Sequence, residues 1–228
     1  MVSEYLRDRI LNLELEPGAD IDELELVEIV GVSRTPVREA IIKLAAENLV
    51  VVQPNRGALV APLNALDFPR LIEALDLSQR AVTQLAALRR KPKHIDAINQ
   101  TRLRVERAIK EADPLEATLA NRDFHVAIAD SGDNRFLHDQ YERQLNIALR
   151  YARLPLGSEP KGDTSVTLQA HQAMVIEHHR AILDAIVAKD PVKAGSLAHD
   201  HSNLFSNRML EFFGENNLTD LMVIDGNG

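Results

Sequence analysis

Apolar positions along this chain fall into two regimes. In the first sixty or so residues they change period twice. Residues 4–13 (EYLRDRILNL) carry helical periodicity, and EPG at 16–18 stops it. A second helix is predicted from Ile21 to Val30, with Leu24, Leu26, Val27, Ile29 and Val30 as its apolar face and Asp20 or Asp22 as its N-cap. Gly31 ends it. A third helix begins at Arg34 behind Ser33, whose side chain suits a cap, and bears the stripe Val37, Ile41, Leu44 and Ala45. Then LVVVQ (49–53) and ALVAP (58–62) read as strands around PNRG, a hairpin with Arg56 and Gly57 at its tip. In the second regime, from about Leu66 to Phe213, strand signals cease. Stretches of helical period run over 66–90, 93–112, 115–130, 135–153, 165–188 and 191–213. Pro114 and Pro191 fit first turns, where a missing N–H costs little.

Two short helices joined by a glycine turn, a third helix and a basic-tipped hairpin make a winged helix-turn-helix. The fold expected is mainly α: a winged helix-turn-helix over 1–63, then an all-α bundle of six to seven helices over 66–213. The polar, glycine-dotted stretch 214–228 is expected to be a mobile tail.

Charge sharpens this picture. The whole chain carries a formal net charge of −8. Residues 1–62 hold six basic and eleven acidic side chains, a net of −5, whereas 33–57 hold four basic and two acidic, a net of +2. The positive charge is a focused patch, so DNA binding would rest on placement more than on a general grip. Arg34 and Arg38 are four apart and share a helix side; the fork of an arginine can donate two bonds to guanine. Ser33, Thr35 and the first-turn N–H groups suit phosphate oxygens, Pro36 stiffens that turn, and Arg56 with Gly57 can approach the backbone from the wing. Lys43, two turns on, ranks last. No cysteine is present, which excludes disulfides and thiolate metal sites. No apolar run approaches a membrane span, and the first residues lack a leader pattern, so a cytoplasmic setting is expected.

Histidine supplies the second chemistry. His179 sits on the stripe of Val175, Ile182, Leu183 and Ile186; His201 sits with Leu197, Leu204 and Phe205; His125 borders Phe124 and Ile128. Asn121 lies one turn before His125 on the same face. His178 and His199 point well away from their neighbours' stripes, and His94, His138 and His171 read as surface residues. A lone histidine on an apolar face is ordinarily a hydrogen-bonded core residue. Three on separate helices of one bundle fit a metal better.

The segment ELEPGADIDELELVEIVGVSRTPVREAIIKLAAENLVVVQPNRGALV resembles the winged helix-turn-helix of GntR-family transcription regulators. NRDFHVAIADSGDN, EHHRAILDAI and KDPVKAGSLAHDHSNL resemble the FCD domain of the FadR subfamily. The resemblance implies a homodimer on a pseudo-palindromic double-stranded DNA operator and a small effector, a carboxylate, in a metal-containing helical pocket. It maps an FCD metal site onto Asn121, His125, His179 and His201, with zinc first and nickel or iron as alternatives. It also makes Arg150 the candidate anion clamp. Three positions depart from common relatives: Leu24 replaces a basic residue of the second helix, and Leu75 and Gln79 stand where many FCD pockets present Arg and Glu. Two other classes compete: a metalloenzyme on a three-His site, and a helical interaction module. The enzyme needs an acid or base beside the metal, and Asp123 and Asp130 both point away from the His125 face.

Overall fold

Helix α1 (Val2–Leu11) buries Val2, Leu6, Ile10 and Leu11 on one side and lies against α3 (Arg34–Ala46). The computed structural model describes residues 2–157 and 164–215, which divide into two units between Asp67 and Phe68. In the first unit α3 buries Val37, Ala40, Ile41 and Leu44 at helical spacing, and Arg7 of α1 is bound by both carboxylate oxygens of Glu47 at 2.9 and 2.6 Å. Between them lies α2 (Glu23–Val30), capped by Asp22, whose Oδ1 accepts from the backbone N–H groups of Leu24 and Glu25. Gly31 closes α2 with φ 69°, a left-handed conformation that glycine adopts without a Cβ penalty. The chain can therefore turn at once into α3.

Strands β2 (Val50–Gln53) and β3 (Gly57–Val60) pair antiparallel, with Gln53 opposite Gly57 and the three residues Pro54, Asn55 and Arg56 as the loop. A two-residue strand β1 (Asp20–Ile21) adds to the other edge of β3. Ile21 thus belongs to the sheet and not to the helix expected there. The expected apolar face of α2 is also narrower: Leu26 is buried, but Leu24 and Ile29 are 52% and 51% exposed. At about 100° per residue they stand roughly 160° and 60° from Leu26, too wide a spread for one contact face. Ser33 occupies the N-cap position of α3 in extended conformation, yet its side chain makes no capping hydrogen bond.

The second unit is helical: α4 (Phe68–Arg89), α5 (Pro92–Lys110), α6 (Pro114–Ser131), α7 (Arg135–Arg153), a 3₁₀ turn Leu154–Gly157, α8 (Thr164–Val187) and α9 (Pro191–Glu215). Pro92, Pro114 and Pro191 each open a helix, and Asp113, Asn134 and Asp190 accept first-turn N–H groups of α6, α7 and α9. Short links between successive helices favour antiparallel neighbours. One buried apolar cluster of described residues gathers Ile98, Val105, Phe124, Ile128, Ile182 and Ile186, and another gathers Leu75, Val82, Tyr141, Leu145 and Ala148. Arg153 ties α7 to the start of α6 by donating to Thr118 Oγ1 at 3.0 Å and to the Leu115 carbonyl at 3.1 Å. Most of the 154–163 break and of the 214–228 tail lies outside the described residues.

Candidate metal centre

His125 on α6, His179 on α8 and His201 on α9 are buried and point their Nε2 atoms at one another. His125 Nε2 lies 3.1 Å from His201 Nε2, which lies 3.4 Å from His179 Nε2. Apolar neighbours fix the rings: Phe124 stacks on His179 with centroids 4.0 Å apart, and Tyr141 meets His125 edge-on. Burial disfavours the charged imidazole, pushing His125 down to about 4 and His179 and His201 well below the ordinary value; the latter two are depressed further by mutual repulsion of the cluster. All three are therefore neutral near pH 7.

Hydrogen bonding alone leaves this cluster incomplete. A neutral Nε2 has either one hydrogen or one lone pair, so His201 can satisfy one of its two neighbours and not both. Three lone pairs around a cation resolve the conflict. Zinc–nitrogen bonds of about 2.0–2.1 Å in tetrahedral geometry separate ligand nitrogens by about 3.3 Å, close to the two spacings here. The residues present fit a divalent ion with nitrogen ligands. Among the described residues this is the one group of three or more His, Asp or Glu side chains with such geometry.

His125 and His201 line a cavity of about 320 Å³ in the second unit, and His179 does not. Asn121, one turn before His125, lies on its wall, as do Leu75 and Gln79 of α4. Gln79 is held in place, donating to the Ala198 carbonyl at 2.8 Å and accepting from the Tyr141 hydroxyl at 3.2 Å. Arg150, the clamp expected from sequence, is buried on α7 but absent from the cavity wall. Ala148, Leu149 and Ala152 supply that wall, and Arg150 lies about 100° around the helix from Leu149. The arginines that do line the cavity are Arg122 and Arg208. His171, expected at the surface, also lines it, and burial together with the charge of Arg208 pushes it down to about 4. His94 and His138 do hold surface roles: His94 Nδ1 accepts from the Lys91 N–H, and His138 sits between Asp130 and Asp139.

In the first unit Ser33, Arg34, Thr35, Arg38, Arg56 and Gly57 are exposed, and Pro36 is half-buried in the first turn of α3. Arg38 is 63% exposed in its side chain and pairs with Glu23 of α2 at 3.0 Å. Gly57, at φ 88°, carries the wing turn back into β3.

Residues 1–60 match the family described as "Bacterial regulatory proteins, gntR family", and residues 71–204 match the FCD domain. The chain belongs to the GntR family of FCD-domain transcription regulators. The relatives include the Uxu operon transcriptional regulator of Escherichia coli (strain K12), 25% identical, with 92% of this chain and 86% of that one covered. LutR of Bacillus subtilis (strain 168) is 26% identical, with 91% and 99% covered. A regulator from an unstable DNA locus of Streptomyces ambofaciens is 49% identical, but over 75 residues, 32% of each chain. Among solved structures, E. coli McbR/YncC has a TM-score of 0.78 over 93% of this chain and 96% of its own, at 19% identity, a likeness of fold. These families and relatives are those of transcription regulators, so the regulator is not an enzyme. Asp123 is held by Arg104 and Arg122, and Asp130 by His138. No described helix is long and apolar enough to cross a membrane.

Proposed function

We propose that this GntR regulator responds to a carboxylate effector through a divalent ion, zinc foremost, held by His125, His179 and His201 with Asn121 beside them. The convergence of three neutral Nε2 atoms, two of them on side chains that line the cavity, is the observation that carries this reading. When bound, the ion supplies a positive anchor for an acid, and the protein's part is to orient it. The imidazoles are fixed by Phe124 and Tyr141, Asn121 offers a side-chain oxygen, and most of the cavity wall is apolar. On the DNA side Arg34 and Arg38 enter the major groove, Ser33 and Thr35 take phosphates, and Arg56 and Gly57 of the wing reach the neighbouring backbone. One such domain, acidic overall, offers few phosphate contacts. A homodimer on a pseudo-palindromic operator doubles the base contacts and matches the symmetry of the site.

The test is a titration of the full chain against the regulatory DNA beside its own gene, with and without zinc, across a panel of small organic acids. At least one acid should change operator affinity by roughly 5- to 150-fold in the zinc-loaded chain, the range expected of coupled sites. His179→Ala should bind the operator as before and lose that response. A response that persists in the chelated chain or in His179→Ala would contradict the proposal.

A further inference from the structure

The cavity has a second polar tier. Along α9, Arg208 follows His201 by seven residues, a rise of about 10 Å and a rotation within about 20° of two full turns, so both face the same side. Both line the cavity. On α6 the spacing repeats, with Thr118 seven residues before His125 and both lining the same space, and on α8 His171 lines it about two turns before His179. Between the tiers the wall is largely apolar, with Leu149, Val175, Leu204 and Phe205.

The two cavity arginines differ in what neutralises them. Arg122 donates to Asn146 at 2.8 Å, to Asp123 at 2.9 Å and to Glu142 at 2.6 Å, so two carboxylates already answer its charge. Arg208 has among the described residues one ion-pair contact, a 3.8 Å approach to Glu211, whose side chain is 64% exposed. Pairing of that length with an exposed carboxylate is worth little. Arg208 itself is only 24% exposed, and His171 beside it adds a donor and no negative charge. At the other tier the hydroxyl of Ser202, 2% exposed and lining the cavity, has no hydrogen-bond partner among the described residues. Each end thus keeps unanswered donor capacity among the described residues, whereas Arg122 between them is already neutralised.

We infer that the effector is a two-headed acid, with one carboxylate at the three-His end beside Ser202 and a second carboxylate on Arg208, joined by an apolar spacer. This inference rests on the carboxylate reading proposed above and names the effector's class. A monocarboxylate would leave Arg208 facing an apolar wall, and an acid as short as malonate would not span two helical turns.

Calorimetry on the zinc-loaded full chain tests it, with adipate, hexanoate, malonate and acetate as probes. Adipate should bind at least about tenfold more tightly than hexanoate, which has the same number of carbons, and malonate no better than acetate. Arg208→Met should bring adipate to the level of hexanoate, while zinc stoichiometry and melting temperature stay as in the parent, and Arg208→Lys should recover part of the difference. Equal affinity for adipate and hexanoate, or an Arg208→Met chain that still prefers adipate, would overturn the inference and leave the carboxylate reading standing. A zinc-loaded chain that binds none of the four acids would overturn both.

Discussion

The rings of Phe124 and His179 stack 4.0 Å apart, 24° from parallel, joining α6 to α8. The contact sets the direction in which His179 Nε2 points, and so whether it meets the other two. Phe124→Leu keeps an apolar side chain but removes the flat surface. Groups that orient a ligand from behind typically matter by about 10- to 100-fold in metal affinity. Phe124→Leu should therefore weaken zinc binding by at least about tenfold with unchanged stoichiometry, measured by competition with a chromophoric chelator. Unchanged affinity would mean that the stack is ordinary packing.

Arg38 and Glu23 form an exposed pair between α3 and α2, and in DNA-free protein Glu23 competes for the group proposed to read bases. Arg38→Ala should lose about 1–3 kcal/mol of operator binding. Glu23→Ala should act in the opposite sense and tighten DNA binding, with little change in stability, since exposed pairs contribute about 0–1 kcal/mol. Titrations at one fixed salt concentration check both. A loss of affinity in Glu23→Ala would show instead that the carboxylate positions Arg38 for its contact.

The histidines also predict how stability depends on pH. In the metal-free folded chain His125 titrates at about 4, below its ordinary 6.5, and His179 and His201 are shifted in the same direction. Between those values the unfolded chain binds more protons than the folded one. Stability must then fall as pH falls from 6.5 towards 4. From His125 alone the loss at pH 5 is on the order of 2 kcal/mol. Denaturant unfolding of chelated protein at pH 7 and pH 5 should show at least this difference, and His125→Phe should reduce it. A flat profile would mean the three rings are not buried and neutral.

Helix boundaries and the three-His group were legible in the sequence because both follow from periodicity: a polar residue on an apolar stripe marks itself. What periodicity hides is which neighbour a face meets. Arg150 and Arg208 each sit among apolar residues, and only the packing of α7 and α9 shows that Arg208 faces the cavity and Arg150 does not. His171 read as a surface residue for the same reason. Strand β1 escaped notice because two residues show no alternation, and its existence depends on the edge offered by β3. The wide apolar set on α2 could not reveal that Leu24 and Ile29 stay in solvent. The empty capping role of Ser33 has a similar origin, since side-chain type permits a cap and local geometry decides it.

Whether His125, His179 and His201 hold a divalent ion is decided most directly by elemental analysis. The full chain is purified without chelator, incubated with excess zinc, freed of loose metal and compared with His179→Ala handled identically. About one zinc per chain is expected in the parent and close to none in the variant. A parent chain that stays empty, or a variant that retains its zinc, would contradict that expectation.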